Sequence, residues 1–497
     1  MKQNYKLITN SSVLLAYTGF EVAILFLFNI LAARFLGPKE FGRFIYLVSF
    51  VMLFTFLADL GISLGIIKSV VRSGFESQQY IFSGFFLKLL LTALFLVIIV
   101  LSFLAFGRKE DVLLIIYLAI AEGLRSGAIY IAYIFRGMEK MIYEPLFFGL
   151  DRLILLIIGT VALLCGYGVN ELIIIISAAK ASSFVIAFMF YVKYFGTPRL
   201  SANRTLILAI IRESYPIAIA SLFNFLMVYL PPVFLTTFKD SRDTGIFQAA
   251  FKVTLLPILL CTVFVQSIYP SMISRYSASE NDRNSVSRFY SLGTKMILNV
   301  ALPSLVFFSI FSKEIIILIY GQSYIGAVWV LRAMGPYILF SSVLVMSMYV
   351  LFALNKGKIV VKIAIPTSIV CFLINYFFIS IFGINGAVFS LLLISLVTLT
   401  FYLLTLHRLG YRIFRLRDSF VQVLSSFIMF LVIYNINGLF TVRRSYLIFM
   451  TIILGLSIYF IFLALLGGIS HKEREILGDI AKIIGKKVSG IVKLRSR

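Results

Sequence analysis

Apolar runs of roughly 20 residues recur from one end of this 497-residue chain to the other, and each can cross about 30 Å of hydrocarbon as a helix. That pattern leaves few folds open. Lipid offers no water to the backbone, so a crossing segment must satisfy its own peptide groups, and runs of this length do so as helices. Hydrophobic residues make up 61% of the chain and charged ones 13%, where a soluble domain carries about a quarter charged. With Gly, Pro and charge clusters as stops, helices are predicted at 12–34, 41–64, 80–106, 112–135, 146–165, 170–195, 206–237, 245–270, 291–311, 325–354, 359–380, 384–406, 418–436 and 445–467. The expected fold class is therefore all-α integral membrane, with about fourteen transmembrane helices. Ser12 to Ala33 is too long for a signal-peptide core and is read as a retained first helix. Pro216, Pro231 and Pro232 predict a kinked seventh helix, which a membrane bundle tolerates.

The net charge of +24 would suggest nucleic acid if the basic residues formed one solvated patch. They fall instead in short clusters between apolar runs, so a nucleic-acid partner is not expected. Lys and Arg concentrate on the side that carries both termini, with or without the C-terminal tail, so the positive-inside rule places both termini in the cytoplasm of a cell-membrane protein. Cys165, Cys261 and Cys371 form no CxxC pair, and His407 and His471 have no companion at metal-ligand spacing. Neither a disulfide framework, a metal site nor a cofactor is expected. The basic tail 471–497 reads as an amphipathic segment on anionic lipid.

A weak internal repeat organises the chain. Glu40-Phe-Gly42-Arg-Phe44 opens the second helix and Thr244-Gly245-Ile-Phe247 the eighth; Gly168-Val-Asn170 opens the sixth and Gly383-Ile-Asn385 the twelfth. A spacing of six helices preserves orientation, which predicts two parallel six-helix bundles related by an axis along the membrane normal. The expected units are 1–200 and 201–410, then two added helices in 411–470, then the tail 471–497.

Five stretches carry a family likeness. They are Ala33-Arg34-Phe-Leu-Gly37-Pro38-Lys-Glu-Phe-Gly42 with Ala58-Asp59-Leu60-Gly61; Phe135-Arg136-Gly137-Met-Glu-Lys140; Gly245-Ile-Phe-Gln248-Ala-Ala-Phe-Lys252 with Tyr269-Pro270-Ser271; Tyr320-Gly321-Gln-Ser-Tyr324 with Leu331-Arg332; and Asn355-Lys356-Gly357-Lys358 with Asn375 and Phe382-Gly383-Ile-Asn385-Gly386-Ala387. In this order, over roughly residues 10 to 410, the chain resembles the polysaccharide-transporter, or oligosaccharide-flippase, branch of the multidrug/oligosaccharidyl-lipid/polysaccharide exporter superfamily. The resemblance implies a transporter and no enzyme. It would carry polyprenyl-(di)phosphate-linked oligosaccharide from the cytoplasmic to the outer leaflet by alternating access, within the bilayer and alongside other polysaccharide assembly proteins. Relatives often carry an acid midway along the seventh helix; Met227 to Pro232 is uncharged here, so that coupling role is not carried over.

An ionisable group at a membrane helix centre costs about 2.5–3.5 kcal/mol, so it normally faces a wet cavity or a partner. Within the predicted helices stand Lys88, Arg125, Arg152, Lys180, Lys252, Lys295 and Arg332 against Glu21, Asp59, Glu122 and Asp151, a cationic excess that suits an anionic cargo. Candidate cavity residues are Lys88, Arg125, Lys180 and Lys252, with Gln248 one turn from Lys252 and Glu122 one turn from Arg125. Glu122 and Arg125 equally read as a mutual pair. Lys180 has no acid nearby in sequence, and Lys88 reads equally as snorkelling to a membrane surface. Arg152, Lys295 and Arg332 sit nearer helix ends and read as snorkelling or surface contacts. By the family resemblance Arg34 and Asp59 line or gate the cavity; the plainer reading is interhelical structure. Gly61 to Gly65 and Gly123 to Gly127 are GxxxG spacings that predict close helix packing.

Two other functions remain. A drug and cation exporter of the same superfamily should have an acidic cavity in its first bundle. A glycan polymerase or ligase would need a large external loop and a gathered set of acid, His and nucleophile, neither of which the sequence offers.

Overall fold

The structure is a computed structural model that describes residues 2–73, 78–138, 140–197, 203–278, 283–411, 416–439 and 445–468. All regular elements among the described residues are helical: α1 (Lys2–Asp59), α2 (Ile62–Ser73), α3 (Gln78–Phe106), α4 (Val112–Gly137), α5 (Tyr143–Leu164), α6 (Val169–Phe195), α7 (Arg204–Phe238) and α8 (Ser241–Ala278). The second part holds α9 (Arg283–Tyr320), α10 (Ala327–Ala333), α11 (Gly335–Ala353), α12 (Gly357–Phe382), α13 (Ile384–Arg408), α14 (Leu416–Leu439) and α15 (Ser445–Leu465). Among the described residues twelve helices are long and apolar enough to cross a membrane, and Met450–Leu465 is a shorter apolar helix. Leu101, Ile157, Ile369 and Ile453 are 61%, 60%, 59% and 65% exposed. Side chains of this kind, repeated around a bundle, are stable only against lipid tails.

The chain doubles back inside α1. Gly37 has φ 71°, and Pro38 then starts a second arm. The two arms are antiparallel: Glu21, before the break, lies 3.5 Å from Arg125, and Asp59, well after it, lines the same cavity as Arg125. A second break at Leu60 and Gly61, with φ 44° and 77°, separates Asp59 from α2. The sequence reading carries its second helix across this break to residue 64 and leaves 65–79 as loop. The structure instead adds a short helix whose Gly65 faces Ser214 of α7. The tenth predicted helix, 325–354, is in fact two pieces, α10 and α11, with Met334 between them and Pro336 opening the second. The seventh runs through its three prolines as one helix.

Packing divides into two groups. α3 to α6 pack among themselves and with α1 and α2, and α7 to α13 form a second set. A large apolar core containing Phe41, Phe247 and Tyr324 spans the seam between them. α7 belongs to both: Ile210 joins the core of the first group, whereas Phe234 and Phe238 meet Phe372 and Tyr376 of α12 edge to face. α14 and α15 lean on α9. There Gln422 donates to the Lys295 carbonyl at 2.7 Å and to Asn299 at 2.6 Å, and Tyr459 donates to Asn299 at 3.0 Å. The tail 471–497, with His471, and the loops around Arg199 and Arg412 lie outside the described residues.

Candidate functional site

Eight of the eleven ionisable groups that the sequence places within its predicted helices gather in the first group of helices, because each side chain that leaves water needs a partner of opposite charge. Lys88 on α3 is buried and donates to Asp59, which also accepts from Ser63 across the Leu60–Gly61 break. Lys88 therefore does not snorkel; it ties α3 to the point where the second arm of α1 gives way to α2.

Beside this pair lies a network drawn from four helices. Lys180 on α6 pairs with Glu122 on α4. Arg125, one turn along α4, pairs with Asp151 on α5, lies 3.5 Å from Glu21 on α1 and stands 5.1 Å from the Phe148 ring. Arg152 reaches Glu21 at 2.5 Å and Asp151 at 3.7 Å. Two expectations are corrected here. Glu122 is the partner of Lys180, not of Arg125, and Arg152 is a buried member of the network instead of a snorkelling end residue. The cationic excess is corrected as well. With Lys88 and Asp59 included, four cations face four carboxylates in the first group of helices, so this part of the interior is neutral. The remaining interior cations lie in the second group: Lys252, Lys295, which is buried, and Arg332, which is exposed.

A cavity of about 230 Å³ opens between the network and α7, walled by Thr55 and Asp59 of α1, Glu122 and Arg125 of α4, and Ser221 and Phe225 of α7. It lies on the seam between the two helix groups. Its volume falls below the roughly 300–1,000 Å³ of a typical ligand pocket.

Lys252 approaches the seam from the other side. Seven residues along a helix come within about 20° of two full turns, so Lys252 shares the face of Gly245. Gly245 is where α8 touches α1: a Cβ there would meet the Pro38 carbonyl oxygen at 2.0 Å. A separate face of α8, about 120° around from Gly245, packs on α11 through Phe251 and Tyr337. Lys252 is half-buried, has no carboxylate partner among the described residues, and follows the buried Gln248 by one turn. Arg34 sits elsewhere, at the Gly37 end, where it donates to the Ile319 carbonyl at 2.6 Å and to the Leu318 carbonyl.

The fold thus joins Asp59, Glu122, Arg125 and Lys180, backs Asp59 with Lys88, faces Lys252 and Gln248 toward the seam, and leaves Arg34 apart. Glu21, Asp151 and Arg152 complete the network without having been singled out as cavity residues. Their signal in the sequence was a charge inside an apolar run. Among the described residues no three His, Cys, Asp or Glu side chains gather as a metal site, and the three cysteines are free.

A many-helix membrane bundle with a charged cavity on the seam between two helix groups is the architecture of a transporter. The chain belongs to the family described as polysaccharide biosynthesis protein, whose model matches residues 7–276, within the superfamily named above, and so to a family of membrane transporters and not of enzymes. It is 22% identical over 359 residues to the probable low-salt glycan biosynthesis flippase Agl15 of Haloferax volcanii, covering 71% of this chain and 74% of that protein. Its fold resembles the lipid II flippase MurJ in an inward closed conformation, with a TM-score of 0.75, 17% identity and coverage of 92% and 99% of the two chains. An inward-facing multidrug resistance transporter of the MATE family gives a TM-score of 0.64 at 15% identity, over 78% of this chain and 95% of that one.

Proposed function

We propose that this protein moves an oligosaccharide linked to a polyprenyl phosphate or diphosphate from the cytoplasmic to the outer leaflet of the cell membrane. The family and the curated glycan flippase among its relatives support the cargo class. The observation that carries the reading is Lys252, a half-buried cation without a carboxylate partner among the described residues, set on the face of α8 that meets α1 at Gly245, whereas the cations of the network are each paired. An anion that approaches Arg125 or Lys180 must compete with Asp151 or Glu122. At Lys252 it has no such competitor, so the phosphate seats there first and the network rearranges around it.

Movement then follows alternating access. Counting the arms of α1 separately and including α15 gives fourteen crossings; 1–200 and 201–410 act as two parallel six-helix bundles, 411–470 adds two helices, and both termini with the tail 471–497 are cytoplasmic. The glycan and phosphate cross through the polar chamber while the prenyl chain stays in lipid, which avoids burying hydrated sugar in hydrocarbon. An inside-negative potential favours outward movement of an anion by roughly 2.3 kcal/mol per charge per 100 mV. A cation exporter would need free carboxylates. The two in the cavity, Asp59 and Glu122, are each neutralised by a lysine.

Reconstitution tests the reading. Vesicles carry a labelled polyprenyl-diphosphate oligosaccharide in both leaflets, and glycosidase is added outside. The protected fraction is expected to fall when the protein is present; protection equal to that of empty vesicles contradicts the proposal.

A further inference from the structure

Arg43, just beyond Gly37, pairs with Asp111 immediately before α4. α4 therefore starts at the Gly37 end and finishes at the opposite one, where a tight turn leads into α5 and where α6 also ends. Six aromatic rings meet at that far corner: Phe135, Tyr143, Phe147, Phe190, Tyr194 and Phe195. Tyr143 and Tyr194 join their hydroxyls in a hydrogen bond. Tyrosine gathers where a membrane meets water, its ring among lipid and its hydroxyl among the headgroups, so the cluster sits at headgroup depth.

Charge around the cluster is left over on the positive side. Arg136 donates to both oxygens of Glu144, at 2.6 and 2.8 Å, so that acid is taken. Lys140 lies over the Tyr194 ring, 4.4 Å from its centroid, and Lys193, next to Tyr194 in the chain, is exposed. Neither lysine has a carboxylate partner among the described residues. An ammonium over a ring face still has N–H donors to offer an anion. Two apolar stripes run from these lysines into the membrane. Ile142, Leu146 and Leu150 stand four residues apart on α5, and Met189 and Val185 continue at the same spacing from Lys193 on the neighbouring α6, all of them exposed. Two cations and a pair of hydroxyls at headgroup depth, above two apolar tracks, match the polarity of a phospholipid with an anionic head and two chains.

We propose that this corner of the first helix group binds an anionic phospholipid of the adjoining leaflet, its phosphate on Lys140, Lys193 and the tyrosine hydroxyls and its chains along the exposed stripes of α5 and α6. The bound lipid holds the ends of α4, α5 and α6 at headgroup depth. A free phosphate would leave the stripes unused, which favours the lipid. The site lies apart from the chamber and does not depend on what the protein carries.

Fluorescence quenching at the stripe provides the test. Trp329 is the only tryptophan of the chain, so Trp329→Phe with Met189→Trp sets a single indole on the α6 stripe, at a position that is already 66% exposed. The full chain is reconstituted in bilayers of phosphatidylcholine with a minor share of phosphatidylglycerol, and one lipid or the other carries brominated chains, which quench an indole on contact. A lysine near the surface favours anionic lipid by up to about fivefold, so phosphatidylglycerol is expected to occupy this position at least about fivefold more readily than phosphatidylcholine. Lys140→Gln with Lys193→Gln should bring that ratio to about one; neither replacement strands a carboxylate partner among the described residues. With Val97→Trp in place of Met189→Trp, on the exposed face of α3, the ratio should stay at about one, which separates the site from the general attraction of a basic protein for anionic lipid. No preference at Met189→Trp, equal preference at the two positions, or a preference that survives loss of both lysines would overturn the site. So would its loss on addition of inorganic phosphate at matched ionic strength, which would mark a site for small anions.

Discussion

Lys180 and Lys252 look alike in sequence, each a single cation in an apolar run, and the sequence reading expects alanine at either to slow transport without lowering abundance. Their surroundings now separate them. Lys180→Ala strands the buried Glu122 carboxylate, at a cost of about 3 kcal/mol if it stays ionised at mid-membrane. The expected outcome is reduced membrane abundance and a lower melting temperature, both recovered in Lys180→Ala combined with Glu122→Ala; a single variant as stable as the parent would show that the pair does not hold α4 to α6. Lys252→Ala strands nothing, so abundance should hold while the rate of glycan movement falls several-fold and Lys252→Arg retains it. An unchanged rate removes Lys252 from the site. The sequence showed that these residues are charged and within the membrane. It could not show their partners, because helix periodicity reports only neighbours three or four residues away, whereas Lys180 and Glu122 are 58 residues apart.

At the scale of elements, apolar length located the crossings, and Gly37-Pro38 marked the turn within α1. Length does not report how a helix is broken. Asp59, Ser63 and Lys88 hold a kink that the sequence reading places inside its second helix, and Met334 divides a run whose one charge is Arg332 and which reads as one helix. The GxxxG reading applies to Gly123 and Gly127, where an added Cβ would stand 2.7 Å from Thr92 and 2.9 Å from Phe184. Gly61 instead serves the break. Gln422 was not among the candidates, since a single amide in an apolar run has no local signature, yet it fastens α14 to α9. Gln422→Leu should loosen α14 and α15 by about 1–2 kcal/mol, seen as a lower melting temperature in detergent and faster proteolysis near residue 440; identical melting and cleavage would deny the tether. Gly383, with φ 57° and ψ −127°, opens α13 in a conformation that side chains rarely adopt. Gly383→Ala should cost about 1–3 kcal/mol by the same melting measurement, and no loss would indicate that the α12–α13 turn relaxes freely.

For the whole molecule, an excess of positive charge was visible in the sequence, but its location was not. Acids spread over α1, α4 and α5 fold onto the cations of the first group, which leaves Lys252 as the seam-facing cation without a carboxylate partner among the described residues. The account therefore depends on cargo charge more than on sugar identity. The most direct test compares two lipids that carry the same labelled oligosaccharide in the same reconstituted vesicles, one through a polyprenyl diphosphate and one through an uncharged link. Saturable, protein-dependent movement of the diphosphate form, with the neutral form moving no faster than in protein-free vesicles, is the expected result; equal rates for the two lipids would contradict it.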